Sequence, residues 1–191
     1  AAIVLHANPD KFNGTATLQA RGVKVLTSQQ VLALIPEVFK IRTEAFGARY
    51  QPDWPTVTPQ PESFGSATTE LQLAGLPLKV HVLGPGCSEA HVVVEWEGHV
   101  FVGDLVANKS HSWLEIGRTD EWLKRLDEVA ALQPRFVHPG RGRSGGADLV
   151  VAEREYLQTV IDLVAAEKPT LPPDEAAMER VRVAVEQRYP G

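Results

Sequence analysis

The sequence contains a single cysteine, a single methionine and no long apolar stretch. The lack of further cysteines and of a long apolar stretch each excludes one structural feature. One cysteine cannot form a disulfide within the chain, and a free thiol favours a reducing compartment such as the cytoplasm. No run of about 18 apolar residues is present, so no membrane-spanning helix is expected. The net charge of −5 comes without a block of basic residues, so nucleic acid is not an expected partner.

The order of apolar patterns along the chain indicates the fold class. With 191 residues the chain is long enough to bury a core of its own. Short apolar runs of strand type alternate with helical patterns, and polar residues follow several of the strands. This alternation predicts an α/β layered architecture in a single domain over residues 1–191. Two closing helices are expected at about residues 147–189, separated by Pro169, Pro172 and Pro173.

Four segments place residues that could act in catalysis or metal binding beside apolar strands. They are Leu5–Gly14, with His6, Asn8, Asp10 and Lys11; Leu83–His91, with Cys87; Val100–Leu105, with Asp104; and Phe136–Gly142, with Arg141. Histidine, cysteine and carboxylate side chains are the usual zinc ligands in proteins, whereas cationic lysine and arginine are not. The segments therefore combine ligand-type residues with residues that oppose a metal.

In their order and spacing, these four segments resemble the metallo-β-lactamase superfamily. Its signature His-x-His-x-Asp-His corresponds to the segment that begins at His6. Later motifs of that superfamily correspond to Gly-Pro-Gly-Cys87, Gly-Asp104 and Pro-Gly-Arg141. The resemblance implies a four-layer αββα sandwich. Because members place several strands before the first motif, we expect a native protein with more N-terminal sequence, unless a second copy covers the exposed sheet.

The resemblance also implies how each metal of a dinuclear centre would be held. The first metal would use three histidines, at positions occupied here by His6, Asn8 and Cys87. An asparagine amide is a poor zinc ligand. The first set is therefore reduced to one histidine and one thiol.

The second metal would use the four positions held here by Asp10, Lys11, Asp104 and Arg141, of which Asp104 would bridge both metals. Only the two carboxylates are ligands, and the cations Lys11 and Arg141 would repel a divalent ion a few Å away. Carboxylates left without metal need compensation, so we expect Lys11 or Arg141 to pair with Asp10 or Asp104. This predicts a hydrolase-like protein with a degraded metal site and no cofactor, catalytically impaired and acting in binding, with an unidentified small molecule as partner, or as a scaffold.

An alternative keeps the protein as a metal-dependent hydrolase. One zinc held by His6, Cys87 and Asp104 could promote hydrolysis of ester, thioester or lactam-like bonds, with Asp10 and Asp104 as the catalytic carboxylates. A third hypothesis is a metal-independent enzyme with Cys87 as nucleophile and His6 as base.

Three further histidines are candidates for the pocket. His91 occupies a position that is often histidine or aspartate in the superfamily without being a primary ligand, so we expect a structural hydrogen bond there. His111 follows the Gly-Asp104 strand and is expected near the pocket mouth. His138 precedes Arg141 by three residues, too early to replace the lost ligand without a change of register.

Overall fold

The structure is a computed structural model that describes residues 1–190. These residues group into two compact units, one over Ala1–Glu97 and the other from Gly98 onward. Each unit has its own strands, helices and buried apolar side chains. The single domain expected over the whole sequence stays a prediction. Within residues 1–190, no helix combines the length and the apolarity needed to cross a membrane.

The first unit contains two sets of hydrogen-bonded strands. Their bounds are β1 Ala2–Ile3, β2 Val25–Thr27, β3 Glu62–Ser63, β4 Thr69–Leu73, β5 Leu76–Leu83 and β6 His91–Trp96. Strands β1, β2 and β3 pair in parallel, with Ala2 opposite Val25. Strands β4, β5 and β6 pair antiparallel, with Val80 opposite Val94. The parallel strands are short, and β2 is buried over its whole length, as expected for a parallel strand covered on both faces.

Helices cover the strands of the first unit and supply much of its core. Their bounds are α1 Pro9–Phe12, α2 Thr15–Ala20 and α3 Gln29–Phe46, followed by a 3₁₀ turn at Gly47–Tyr50. The helix α3 begins at Ser28, whose hydroxyl accepts a hydrogen bond from the Val31 amide at 3.2 Å. Val31, Ile35 and Phe39 repeat at helical spacing and are buried against the other core residues. Burial of this apolar stripe is what holds α3 in place.

The second unit is built on one pair of parallel strands. Its elements are β7 His99–Ala107, α4 Thr119–Ala131, β8 Phe136–Arg141, α5 Asp148–Ala166 and α6 Glu175–Arg188. In the strand pair, His99 lies opposite Phe136 and Ala107 opposite Arg141. Trp122 of α4 is buried, and its indole N–H donates to the Leu105 carbonyl of β7 at 2.9 Å. This bond docks α4 on the strand that carries Asp104.

The structure confirms the closing helices and corrects two expectations that the resemblance implies, namely that the strand carrying Asp104 ends at Gly103-Asp104 and that the first motif is a loop. The helices α5 and α6 lie where two closing helices were predicted. The strand β7, however, does not end at Gly103-Asp104 but continues to Ala107, because its pairing with β8 extends to that residue. The first motif is also not wholly a loop, since Pro9–Phe12 forms a helical turn with proline at its favoured first position.

Candidate functional site

The first motif places a carboxylate between an amide and a cation. The Asn8 side chain donates a hydrogen bond to Asp10 Oδ1 at 2.6 Å, and Lys11 Nζ lies 3.1 Å from Asp10 Oδ2. The Lys11 side chain is 17% exposed and the Asp10 side chain 42% exposed. Lys11 therefore pairs with Asp10, which confirms the predicted cationic partner for one of the two carboxylates.

His6 and His91 are brought together by the backbone of the first unit. The two residues form an isolated antiparallel bridge, and the Val92 amide donates to the Leu5 carbonyl at 2.6 Å. Both side chains are buried, and their ring centroids lie 5.3 Å apart. A pairing between residues 85 positions apart in the sequence thus sets the distance between the two imidazoles.

Cys87 completes a group of three side chains with His6 and His91. One ligand atom from each of the three residues lies within 4.8 Å of the others. The sulfur of Cys87 is 3.8 Å from His91 Nε2. Asp104 had been expected as the third member of such a set, and the structure puts His91 beside His6 and Cys87.

His91 has a defined hydrogen-bonding role in this group. Its Nε2 accepts a hydrogen bond from the Ser88 amide at 3.1 Å, which agrees with the structural role expected for His91. An imidazole nitrogen that accepts carries no proton, so neutral His91 holds its proton on Nδ1. A metal bound at Nε2 would therefore have to displace the Ser88 amide.

Asp104 and Arg141 form the corresponding pair in the second unit. Arg141 donates from Nη2 to Asp104 Oδ2 at 3.2 Å. The Asp104 side chain is 9% exposed, whereas that of Arg141 is 43% exposed. Asp104 is therefore a nearly buried carboxylate that contacts a half-exposed guanidinium, which agrees with the expectation that Lys11 or Arg141 pairs with Asp10 or Asp104.

Gly140 allows β8 to approach Asp104 closely. A Cβ built at position 140 would lie 1.7 Å from Asp104 Oδ1 and 2.4 Å from the Gly103 carbonyl carbon. Only a residue without a side chain fits such a contact. The close packing of β8 against Asp104 therefore explains why glycine occupies position 140, and this explanation does not involve a metal.

The two remaining candidate histidines lie in different surroundings within the second unit. His111 Nδ1 is 3.3 Å from the Tyr156 hydroxyl, and His111 lines a cavity described below. His138 stacks on Phe101 and His99, and its Nε2 is 2.9 Å from His99 Nδ1. Burial and the neighbouring His99 lower the pKa of His138. A pocket role for His138 stays a prediction.

Sequence reasoning missed Glu153, a buried acid of the second unit. It is 2% exposed, and its carboxylate accepts from the Ala107 amide at 2.9 Å and the Ser112 hydroxyl at 2.6 Å. Burial raises the pKa of Glu153 to about 7, the Ser112 and Ala107 hydrogen bonds oppose this, and the charge of Asp104 adds to it. The available signal was a glutamate inside the apolar stripe of α5 formed by Leu149, Val150, Tyr156 and Leu157.

Solved structures resemble this chain although their sequences have diverged. The metallo-β-lactamase VMB-1 matches with a TM-score of 0.66 at 20% identity, over 84% of this chain and 68% of that one. A metallo-β-lactamase from Pontibacter korlensis matches with a TM-score of 0.61 at 22% identity, over 82% and 67%. The chain has the metallo-β-lactamase fold.

The metallo-β-lactamase fold confirms the predicted α/β class and the αββα sandwich. The enzyme FIM-1 from Pseudomonas aeruginosa, in its mono-zinc form, is similar with a TM-score of 0.63 at 20% identity, over 82% of this chain and 65% of that one. This chain thus spans about two thirds of the length of the structures that it matches. No family model matches the sequence. No curated protein matches it either.

The residues present do not fit the dinuclear centre implied by the metallo-β-lactamase fold. Lys11 and Arg141 offer cationic nitrogens, and both contact carboxylates at positions where the resemblance implies metal ligands. A single metal is a different case, because a thiol and two imidazoles are suitable donors for zinc. Among residues 1–190, His6, Cys87 and His91 of the first unit form a group that could hold one metal ion.

Proposed function

We propose that this chain uses the metallo-β-lactamase fold for binding or as a scaffold, with its dinuclear metal site degraded and its hydrolytic activity impaired. The observation that carries the proposal is the contact of Arg141 with the nearly buried Asp104 carboxylate, at 3.2 Å. A guanidinium at this distance compensates the charge that a metal would compensate in a hydrolase.

The same substitution of cation for metal occurs in the first unit. Lys11 Nζ lies 3.1 Å from Asp10 Oδ2, and the Asn8 amide holds the other carboxylate oxygen. A divalent ion on Asp10 would sit within a few Å of the lysine ammonium, where the Coulomb repulsion amounts to several kcal/mol at an effective dielectric constant of about 20. The local charges thus favour a metal-free Asp10.

Metal analysis combined with activity assays tests this proposal. The full chain is purified without added metal, and its zinc and iron contents are measured by elemental analysis. We expect well below one ion per chain, and no hydrolysis of a chromogenic β-lactam or a thioester above the uncatalysed rate. Two ions per chain, or turnover that a chelator abolishes, would contradict the proposal.

A second candidate function is supported by the group of His6, Cys87 and His91. One zinc on these three residues would supply Lewis-acid activation for hydrolysis of an ester, thioester or lactam-like bond. The chain's own contribution would be to position the donors, His6 and His91 through their backbone bridge and Cys87 through the turn that precedes β6. Against it stands the hydrogen bond between the Ser88 amide and His91 Nε2, which zinc at that nitrogen would break.

Zinc titration distinguishes the two candidates. The mono-zinc hydrolase should bind one zinc per chain, lose that binding in Cys87→Ser, and show hydrolysis that depends on the same zinc. Glu89→Gln, an exposed substitution in the same turn, is the matched control and should leave zinc binding unchanged. Absence of zinc binding at micromolar concentrations would exclude the mono-zinc candidate and leave the binding proposal in place.

A further inference from the structure

The second unit contains a cavity of about 290 Å³ that neither the carboxylate pairs nor the histidine group uses. Its wall is formed by residues 107–111, which start at the last residue of β7, and by one face of α5. Residues 188–190, which start at the last residue of α6, complete it. A volume of this size is at the lower end of the range for small-molecule pockets. The cavity can therefore hold a compact ligand.

Glu153 fixes the relation between two sides of this cavity. Its carboxylate takes one hydrogen bond from the Ala107 amide and one from the Ser112 hydroxyl, so the segment that connects these residues is held against α5. Because Glu153 is 2% exposed, these bonds form in surroundings where water competes little. The cavity wall is thus organised before any ligand arrives.

Aromatic side chains form an apolar surface in the cavity. The rings of Tyr156 and Tyr189 meet edge to face, with centroids 5.1 Å apart. The Tyr189 hydroxyl is 2.9 Å from Thr159 Oγ1, and the Tyr156 hydroxyl is 3.3 Å from His111 Nδ1. Both phenol groups are therefore anchored, and both residues line the cavity, Tyr156 being 9% exposed.

Two cationic side chains line the same cavity. Lys109 and Arg188 both line it and both are exposed, and the Arg188 guanidinium carbon lies 5.9 Å from the centre of the Tyr189 ring. Among the described lining residues, the carboxyl group is that of Glu153, which is buried and already accepts two hydrogen bonds. The accessible charge of the lining is therefore positive.

We propose that this cavity binds a small organic anion with a planar apolar body. The ring lies against Tyr156 and Tyr189, and the carboxylate or other anionic group reaches Lys109 and Arg188. Charge-assisted hydrogen bonds from these two cations give the preference for an anion, and the aromatic surface gives the preference for a ring over a bare inorganic ion. This site is distinct from the candidate metal sites, because none of its lining residues is a candidate metal ligand.

Benzoate is the probe that tests the site, with the full chain as the receptor. Binding is followed by calorimetry and by NMR signals of the His111 and Tyr156 rings at millimolar benzoate. We expect saturable binding that shifts both rings. Benzyl alcohol has the same ring without the charge, and it should bind at least about fivefold more weakly because it lacks the charge-assisted bonds.

A double variant and a matched control test whether Lys109 and Arg188 bind the benzoate carboxylate. Lys109→Gln combined with Arg188→Gln should weaken benzoate binding about tenfold and leave benzyl alcohol unchanged, since only the charged contacts are removed. Arg182→Gln, which removes a cation of α6 that pairs with Glu179 and Glu186, is the matched control and should have no effect. The proposal is overturned by any one of three results: benzoate does not bind, it binds the double variant as well as the parent, or inorganic phosphate competes as effectively as benzoate.

Discussion

At the scale of single residues, the departures from the metal-binding motifs are of two chemical kinds. Lys11 and Arg141 are cations at positions where the superfamily resemblance implies metal ligands, and each contacts a carboxylate. Asn8 and Cys87 are neutral groups at two further such positions, and they contact Asp10 and His91 respectively. Because every substituted position has a partner within its own unit, the substitutions are compatible with a stable fold without metal.

Replacing Arg141 by alanine should destabilise the protein. Asp104 would remain nearly buried without its guanidinium, and a buried group deprived of a hydrogen-bonding partner costs about 1–3 kcal/mol. The half-exposed position of Arg141 places the expected loss in the lower part of this range. Urea unfolding of Arg141→Ala measures it, with the exposed Arg143→Ala as the control. Equal midpoints for both variants would show that the pair contributes nothing to stability.

Glu153 should make stability depend on pH. Its pKa is raised from 4.5 to about 7, so between these values the folded state binds more protons than the unfolded state. The free energy of unfolding should therefore fall as pH rises through this window, by on the order of 3 kcal/mol for this group, and level off above it.

The test compares the slope of unfolding free energy against pH in Glu153→Gln and in the parent. Glutamine resembles the protonated acid, since its oxygen can accept from the Ala107 amide while its amide group donates to Ser112. The variant should lose the slope between pH 4.5 and about 7 and be more stable than the parent above it. Glu155→Gln, an exposed position of α5, should keep the slope. A Glu153→Gln slope equal to that of the parent would contradict the prediction.

At the scale of elements, the start of β6 positions the group of His6, Cys87 and His91 in the first unit. The bridge between His6 and His91 joins the segment that follows β1 to the first residue of β6. Cys87 lies in the turn that precedes β6. The geometry of the group thus follows from a strand bridge and a turn. A metal-binding set could be rebuilt there with few substitutions.

The double substitution Asn8→His and Cys87→His should create a zinc site in the first unit. Together with His6 it supplies the three histidines that the superfamily resemblance implies for the first metal, and imidazoles are good zinc ligands. We expect at least tenfold tighter zinc binding than in the parent, with weak or no turnover, because the groups that orient the ligands are not restored. Asn13→His is the control. A folded double variant that binds zinc no better than the parent would refute the assignment of these positions.

At the scale of the whole molecule, each ion pair is internal to one compact unit. Asp10 and Lys11 lie in the first unit, and Asp104 and Arg141 in the second. In each unit a cationic side chain lies within salt-bridge distance of the carboxylate. The stability of the chain should therefore be independent of divalent metal.

The proposed function requires no bound metal, so treatment with a chelator should leave the thermal midpoint unchanged within about 1 °C. A bound zinc at 100 times its Kd would contribute about 2.7 kcal/mol, equivalent to several degrees. Differential scanning calorimetry before and after dialysis against EDTA makes the measurement. A midpoint that falls with EDTA and recovers with one equivalent of zinc would instead support the mono-zinc hydrolase.

Sequence patterns predicted the α/β class and the closing helices, because apolar periodicity reports local structure. The superfamily resemblance predicted that Lys11 or Arg141 would pair with Asp10 or Asp104, and the structure shows which carboxylate each cation contacts. Tertiary structure decided the rest. Placing His91 beside His6 requires a strand bridge, and burying Glu153 against Ala107 and Ser112 requires α5 to pack on a distant segment. Such contacts depend on chain pairing and packing, which no local pattern encodes.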